Sequence, residues 1–434
     1  MGSERLNMAK TWVRWIAATA IGLGVATSAV NAAAPAPEAV MTHYADIAEA
    51  MFGDAHAAAL DLQKAVDALI AKPSPETLAA ARKAWIDARP WYQQSEGFRF
   101  GNPVVDAWEG RVNSWPLDEG LIDYVATESY GEESDENPFY VANAIANPKL
   151  KIGNDEIDLT SITPESIKAL QEAGGNEANV AIGYHAIEFL LWGQDLNGTK
   201  AGAGNRPYTD YDAANCTNGN CDRRAAFLKA VTDLLVADLA EMANDWKAGG
   251  AARSELAAKP ARDGLGVILT GLGSLSYGEL AGERMRLGLI LHDPEEEQDC
   301  FSDNTHNSHY FDQTGMWAIY SGTYTRRDGS RLDGPGLQDL ASEEAPAEAN
   351  ALDTRMQDTL AKMQAMKDRA DSGKEAYDQM IAAGNTEGNA VVQAAIDGLI
   401  AQTHAIEALV TAMKLSIKVE GSDSLDNPSA VNAQ

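Results

Sequence analysis

The clearest shortage in this chain of 434 residues is that of positive charge, since 64 acidic residues stand against only 34 lysines and arginines. The formal net charge of −30 at pH 7 argues against nucleic acids and anionic membranes as partners bound through bulk charge. An acidic surface can attract cations, although it more often serves solubility alone. The content of 45% hydrophobic and 23% charged residues is typical of a globular protein.

Cysteine is also scarce, with three in the whole chain. Cys216 and Cys221 enclose the short polar loop CTNGNC, and no second Cys or His pair lies nearby, so their spacing does not indicate a zinc site. In an oxidising compartment these two thiols are expected to form a disulfide. Cys300 is then left over, and we expect it to be a buried thiol.

One apolar run stands at the N-terminus. Arg5, Lys10 and Arg14 flank its start, the apolar stretch covers 15–30, and small residues with a Pro-Ala-Pro break follow at 32–37. This order predicts a secretory signal peptide over residues 1–34. A retained membrane anchor is the alternative, which the shortness of the run disfavours. We therefore expect an exported, periplasmic protein, with outer-membrane association left open.

Alternating β-branched residues, the mark of strands, are rare in the rest of the chain. Apolar residues instead recur every three or four positions, as they do along helices. Ser74, Pro75 and Glu76 make a good helix start, because they suit the cap, the first turn and its positive end. We expect an all-α fold of helical bundles, with helices in 39–71, 77–96, 180–193, 223–247, 264–290, 351–383 and 386–415.

Polar tracts and a repeat suggest how these helices are grouped. Residues 128–138, 196–222 and 322–346 read as loops, and the second is expected to link two helical-bundle domains at 38–195 and 223–420, followed by a polar tail over 421–434. The tetrapeptide HAIE occurs twice, at His185–Glu188 and His404–Glu407. Because each copy lies near the end of its proposed domain, the two domains are predicted to be related by duplication.

The segment GYHAIEFLLWGQD, residues 183–195, carries two polar groups in an apolar setting. His185 and Glu188 are three apart, so on a helix they project from nearly the same face. Burial of an unpaired carboxylate is unfavourable, and a cation such as iron, zinc or manganese would satisfy both groups. A purely structural His–Glu hydrogen bond closed by an arginine is the alternative, and spacing alone leaves both open. Gly183 indicates a close approach of another backbone or a ligand.

Three further segments contain candidate site residues. The first is an Arg-containing turn after a helix, the second a helix rich in small residues, and the third an acidic stretch with two histidines. In the second, two glutamates four apart would share a face as metal ligands or as arginine anchors, with exposed ion pairs as the alternative. In the third, the polar groups would ligate a cation or cap a helix. The first segment contributes Ser95, Glu96 and Arg99, the second Glu279 and Glu283, and the third Asp303 and His306.

Several of these stretches resemble one protein family. GYHAIE matches the G-x-H-x-x-E pattern of the imelysin-like proteins, also called the M75 peptidase family. SEGFRFG, NSWPLDEGLIDYV, LSYGELAGERM and EEEQDCFSDNTHNS are similar to its subgroup called iron-regulated protein A. The resemblance implies two duplicated helical bundles, a periplasmic or outer-membrane location and a role in iron acquisition. It carries Gly183, His185 and Glu188 over as the motif residues.

Three functions follow as expectations. The first is a periplasmic protein that binds iron, or an iron-containing ligand. His185, Glu188 and Glu96 would be the ligands, and Arg99 would balance the charge. Zinc or haem are the alternative cofactors, and outer-membrane or iron-transport proteins are the candidate partners. The second is a metallopeptidase, although the chain contains neither the zinc-protease His-Glu-x-x-His signature nor a Gly-x-Ser-x-Gly elbow. The third is a metal-free module that holds an organic ligand or a partner protein.

Overall fold

Helices make up most of the chain, which confirms the all-α class. The computed structural model describes residues 34–135, 137–152 and 155–431, so the predicted signal peptide, apart from Ala34, lies outside the described residues. The α-helices are α1 Pro37–Ala71, α2 Pro75–Gln93, α3 Pro103–Glu109, α4 Glu119–Ile122, α5 Thr127–Tyr130, α6 Pro164–Lys168, α7 Gly183–Trp192, α8 Cys221–Asp245, α9 Ala251–Ala257, α10 Ala261–Ser274, α11 Leu287–Leu291, α12 Thr305–Ser321, α13 Leu337–Glu344, α14 Pro346–Asp371, α15 Tyr377–Ile381, α16 Thr386–Ala412, α17 Asp423–Asp426 and α18 Pro428–Val431.

Two small hairpins, one π-helix and four short 3-10 helices complete the secondary structure of the described residues; the 3-10 helices are Glu96–Phe98, Ala173–Gly175, Tyr208–Asp210 and Pro294–Glu296. Strand β1 (Lys149–Ile152) pairs antiparallel with β2 (Asp155–Asp158), and β3 (Thr323–Thr325) with β4 (Arg331–Asp333). The stretch Leu275–Arg286 is π-helical and joins α10 to α11 without a break. Such stretches shift the register of side chains relative to an α-helix, which matters for the polar residues that this one carries.

Helix α7 is fully enclosed, since all ten of its residues are buried. It packs against α2 and α8, and α1 packs along the same two helices. Trp85 of α2 donates its ring N–H to the Tyr184 carbonyl (2.9 Å) and lies edge-on to Trp192. An apolar helix without an exposed face requires such covering on all sides, so α7 holds His185 and Glu188 inside the protein.

The C-terminal helices form a second group around α16, which packs against α14, α10 and the π-helix, while α12 packs on both α14 and α2. The described residues from Ala34 onward form one compact unit. Helix α8, which the sequence analysis assigned to the second domain, lies on α1. The division into two domains and their duplication stay predictions. The second HAIE copy is on the surface of α16, where the His404 and Glu407 side chains are 69% and 56% exposed.

Two polar tracts are more ordered than the sequence indicated. The proposed linker 196–222 contains Arg206 and Asp210, which are buried and bonded to each other and, through Arg206, to Asp123. Its two cysteines, Cys216 and Cys221, form the predicted disulfide. The tract 322–346 holds β3, β4 and α13. These segments therefore belong to the folded body rather than to exposed connections.

Helix boundaries otherwise follow the apolar spacing closely, with two differences. The helix predicted over 351–383 is broken between α14 and α15, where Gly373 has a φ of +72°. Helix α12 lies in a stretch for which the apolar spacing predicted no helix, because its buried face includes polar residues such as Asp312 and Gln313. No helix among the described residues combines the length and the apolar character that crossing a bilayer requires.

Gly183 starts α7 with a φ of +83°. A Cβ placed there would lie 2.5 Å from the Val112 carbonyl oxygen, which accepts a hydrogen bond from the Tyr184 N–H (2.8 Å). The predicted close approach is thus to a backbone segment, and it anchors the first turn of the helix that carries His185.

Replacement of Gly183 by alanine is therefore expected to lower the free energy of unfolding by more than about 2 kcal/mol, since strain at positive φ and a backbone clash add up. Gly373→Ala is the matched control: its φ is also positive, but nothing lies within 4 Å of the added Cβ, and we expect about 1 kcal/mol. Urea unfolding of both variants measures the difference. Equal losses would show that the Val112 contact contributes nothing.

Candidate metal centre

His185 and Glu188 face each other one helical turn apart on α7. His185 Nδ1 lies 3.0 Å from Glu188 Oε2, and the two side chains are 1% and 0% exposed. The same-face geometry predicted from their spacing is therefore present. The buried His–Glu hydrogen bond that a structural role would require is present as well.

A third group joins them from a distant part of the chain. Asp299 lies in the segment that leads into α12, and its Oδ1 is 3.9 Å from His185 Nδ1. One nitrogen and one carboxylate oxygen from each acid all lie within 4.8 Å of one another. We call His185, Glu188 and Asp299 the triad.

Hydrogen bonds hold the outer oxygens of both carboxylates. Glu188 Oε1 accepts from the backbone N–H (3.0 Å) and the hydroxyl (2.7 Å) of Ser302. Asp299 Oδ2 accepts from Asn304 Nδ2 (3.0 Å) and from the hydroxyl of Ser308. Because the outer oxygens are held in this way, Glu188 Oε2 and Asp299 Oδ1 are the oxygens that face His185.

Arg89 of α2 is the cation of the site and is fully buried. Its Nη2 donates to Asp299 Oδ1 (2.8 Å) and its Nη1 to Asn113 Oδ1 (2.7 Å). Its guanidinium also stacks over the Tyr184 ring at 5.0 Å. Two carboxyl groups and one arginine leave the triad one positive charge short if both carboxyls ionise.

The pKa values divide the two carboxyls accordingly. Burial and the neighbouring Asp299 charge raise the pKa of Glu188 well above its usual value. Burial also opposes ionisation of Asp299, but the Arg89 charge and the bonds from Ser308 and Asn304 outweigh it and hold that pKa at about 2. Burial, together with Arg89, lowers the pKa of His185 to about 3. At neutral pH the imidazole is thus neutral and Asp299 is ionised, while burial and the Asp299 charge disfavour ionisation of Glu188.

The triad continues into a larger buried network. Asn113 Nδ2 donates to Glu96 Oε1 (3.3 Å), and Arg284 of the π-helix binds Glu96 (2.8 Å) and Glu279 (2.7 Å). Glu96 is therefore connected to the triad through Asn113 and Arg89 and does not contact it directly. Asp299 lies beside His185 and Glu188, where the sequence hypothesis expected Glu96. The cause is Arg284, whose charge draws Glu96 towards the π-helix.

The other candidate residues have separate environments. Ser95 donates to the Tyr92 carbonyl at the end of α2 (2.6 Å). Arg99 pairs with Glu279 (3.3 Å) and Glu109 (3.6 Å) at the outer end of the network. Glu283 is exposed, so the two glutamates do not form the predicted shared face, because that segment is π-helical rather than α-helical.

Asp303 and His306 also lie outside the triad. Asp303 belongs to a second group of carboxylates, with Glu297 and Asp378. His306 Nε2 lies 3.4 Å from an Asp371 carboxylate oxygen and accepts a hydrogen bond from Asn307 Nδ2 (3.1 Å). Cys300 is half-buried rather than fully buried.

Arg89, Asp299 and Ser302 are the site residues that sequence reasoning did not single out. Arg89 lies on the same helix face as Trp85 and Tyr92, both buried, so an arginine on an apolar face was the available signal. Asp299 was hidden in the acidic run EEEQDC. Nothing in the local sequence distinguishes it from the other acids of that run, and only the packing of the chain reveals its partner, Arg89.

Arg89→Met is expected to lower the free energy of unfolding by about 3–5 kcal/mol, because it leaves Asp299 as a buried charge without its counterion. Lys83→Met on the same helix is the control; its pair with Asp87 is exposed, and we expect about 0.5 kcal/mol or less. Asp299→Asn added to Arg89→Met should restore part of the loss. Chemical denaturation tests this, and additive losses in the double variant would contradict the pairing.

Comparison with known proteins places this chain in a family. The family model for imelysin, which carries a peptidase label, matches residues 48–406. Iron-regulated protein A of Synechococcus elongatus is 28% identical over 142 residues, which cover 31% of this chain and 40% of that relative. The match thus spans less than half of the relative's length.

Two solved structures share the fold. One, described as an iron-regulated protein A precursor from Parabacteroides distasonis, has a TM-score of 0.61 at 17% identity and covers 88% of this chain and 97% of its own. An imelysin-like protein from Psychrobacter arcticum has a TM-score of 0.57, with the same identity and the same coverage of both chains. Since the family model matches most of its length, this chain belongs to the imelysin family.

Proposed function

We propose that this protein is exported, binds iron as a bare ion through His185, Glu188 and Asp299, and acts in iron acquisition. The observation that carries the proposal is the convergence of three donor atoms, from two distant segments, at one buried point. One imidazole nitrogen and two carboxylate oxygens form a donor set that suits iron, and also zinc or manganese.

The charge of the triad supports a cation at this point. With Arg89 balancing one carboxylate, the other must keep a proton or meet a positive ion. A divalent ion would displace the proton of Glu188, while Ser302, Asn304 and Ser308 already orient the two carboxylates from outside. Such outer hydrogen bonds are typical of metal sites, where they fix the ligands and tune affinity.

The choice of iron rests on the relatives, and the choice of a bare ion rests on burial. The matching relative from Synechococcus elongatus is named for iron regulation. The triad side chains are 0–1% exposed, which leaves no slot for the flat macrocycle of haem beside His185. Zinc has the same donor preference and is the competing ion.

An acidic cavity of about 670 Å³ offers a route of approach. It is lined by Cys300 and Phe301, which directly follow Asp299, and by carboxylates that include Glu119, Asp195 and Glu295. Phe301 packs against Phe189 of α7 (5.3 Å between ring centres). A cation concentrated in this cavity would be separated from the triad by the segment 299–302, which would have to move to admit it.

A metallopeptidase, the function in the family label, finds less support in this geometry. A catalytic zinc needs an open coordination position for water and substrate, and a peptide would have to reach groups that are 0–1% exposed. Under a metal-free function, the His185–Glu188 bond would be structural. Binding measurements on selected variants separate these alternatives.

The mature wild-type protein is expected to bind one ferrous ion per chain in anaerobic titration. His185→Ala and Glu188→Gln should each weaken binding by at least about 100-fold, since loss of even an outer hydrogen-bond partner costs 10- to 100-fold. The exposed HAIE copy provides the matched controls: His404→Ala and Glu407→Gln should bind as wild type does. Equal binding by both sets of variants would exclude the triad as the site.

Iron affinity is expected to rise with pH. Burial and the Asp299 charge raise the pKa of Glu188 well above its usual value. Because a carboxyl ligates a metal in its ionised form, binding is expected to release a proton and to become tighter as the pH rises. Calorimetric titration at pH 6 and pH 8, in buffers of different ionisation enthalpy, measures this release. Affinity independent of pH, with no proton released, would contradict ligation by Glu188.

A further inference from the structure

A second group of carboxylates lies on the far side of the segment that supplies Asp299. It consists of Glu297 and Asp303, before α12, and Asp378 of the short helix α15. One oxygen from each acid lies within 4.8 Å of the others. Glu297 and Asp378 are each only 1% exposed. We call these three residues the acidic cluster.

Four oxygens of the acidic cluster have no hydrogen-bond partner within the part of the chain that the structure describes. They are Glu297 Oε1, Asp303 Oδ1 and both carboxylate oxygens of Asp378. A buried carboxylate without full hydrogen bonds is disfavoured. Asp378 is the extreme case, since neither of its oxygens has a full hydrogen bond and backbone N–H groups at the start of α15 lower its pKa only in part. The triad differs, because Arg89, Ser302 and Asn304 donate to its carboxylates.

The acidic cluster also lacks a counterion. Among the described residues, no lysine, arginine or histidine forms an ion pair with any of its three members. Further negative charge is close instead: burial and Asp303 raise the pKa of Asp378 to about 7, and burial and Asp195 raise the pKa of Asp303 to about 7. The geometry therefore brings together three acids that repel one another and that no side chain neutralises.

We propose that Glu297, Asp303 and Asp378 form a second cation site, separate from the triad and specific for a hard divalent ion such as Ca²⁺. Its donors are oxygens only, without the imidazole that favours iron or zinc. Carboxylates that ligate through one or both oxygens, completed by water, are the ligands Ca²⁺ prefers. The four unsatisfied oxygens supply a large share of the six to eight that this ion takes.

The position of the acidic cluster gives the ion a structural task. It would tie the segment 297–303 to α15, and this same segment presents Asp299 and Ser302 to the triad. The ion would thus fix the backbone from which the triad receives its third ligand. It would do so without contacting His185 or Glu188.

Calcium titration of the full mature chain, first freed of metal with a chelator, tests the proposal. We expect one Ca²⁺ per chain by calorimetry and a rise in Tm on addition of Ca²⁺. Asp378→Asn and Glu297→Gln should weaken Ca²⁺ binding at least about tenfold and lose the rise. Both substitutions remove a repelled charge, so the variants should fold, which their Tm in chelator checks.

Two controls make the outcome specific. Asp397→Asn, on the exposed face of α16, should keep the full response, which separates a site from general screening of an acidic surface. His185→Ala should keep it too; loss in that variant would assign the Ca²⁺ to the triad and overturn the proposal. Absence of binding in the wild type, or an unchanged response in Asp378→Asn, would overturn it as well.

Discussion

The ion pair between Arg89 and Asp299 is the contact on which the interior of this protein depends. It joins α2 to the segment before α12 across 210 positions of the chain and is closed on all sides. Charge placed so deep has to be balanced locally, because water cannot screen it. The pair thereby influences the titration of the triad: Arg89 keeps Asp299 ionised, and burial together with the resulting charge raises the pKa of Glu188.

The same rule governs the whole buried network. Three arginines face six carboxyl groups, so three positive charges are missing. The raised pKa values fall on three of the acids, Glu188, Asp312 and Glu109, the last at about 7. These three carboxyl groups therefore bind protons more readily than isolated carboxyl groups do. A metal at the triad would provide positive charge in place of the proton on Glu188. The network comprises Arg89, Arg99 and Arg284 with Glu96, Glu109, Glu188, Glu279, Asp299 and Asp312.

What could be predicted from the sequence is what local spacing encodes. The helices α1, α2, α8 and α16 follow from their apolar periodicity, and the facing of His185 and Glu188 follows from a separation of three residues. Asp299 and Arg89 could not be found in this way, because their meeting is a product of tertiary packing. Tertiary packing also decides where Glu96 lies: it pairs with Arg284 and accepts from Asn113, so it is not among the groups that converge with His185 and Glu188.

The segment 297–303 connects two groups of acids with different chemistry. Asp299 lies near the imidazole of His185 and pairs with Arg89. Glu297 and Asp303 instead lie near a further carboxylate, that of Asp378. Donor type separates the ions that each group would accept, since nitrogen favours transition metals and oxygen alone favours hard cations. Binding of iron by the triad can be tested with crystals of the iron-loaded protein, from which diffraction data are recorded above and below the iron absorption edge. We expect one anomalous difference peak between His185 Nδ1, Glu188 Oε2 and Asp299 Oδ1. A peak elsewhere, with none at the triad, would contradict iron binding there.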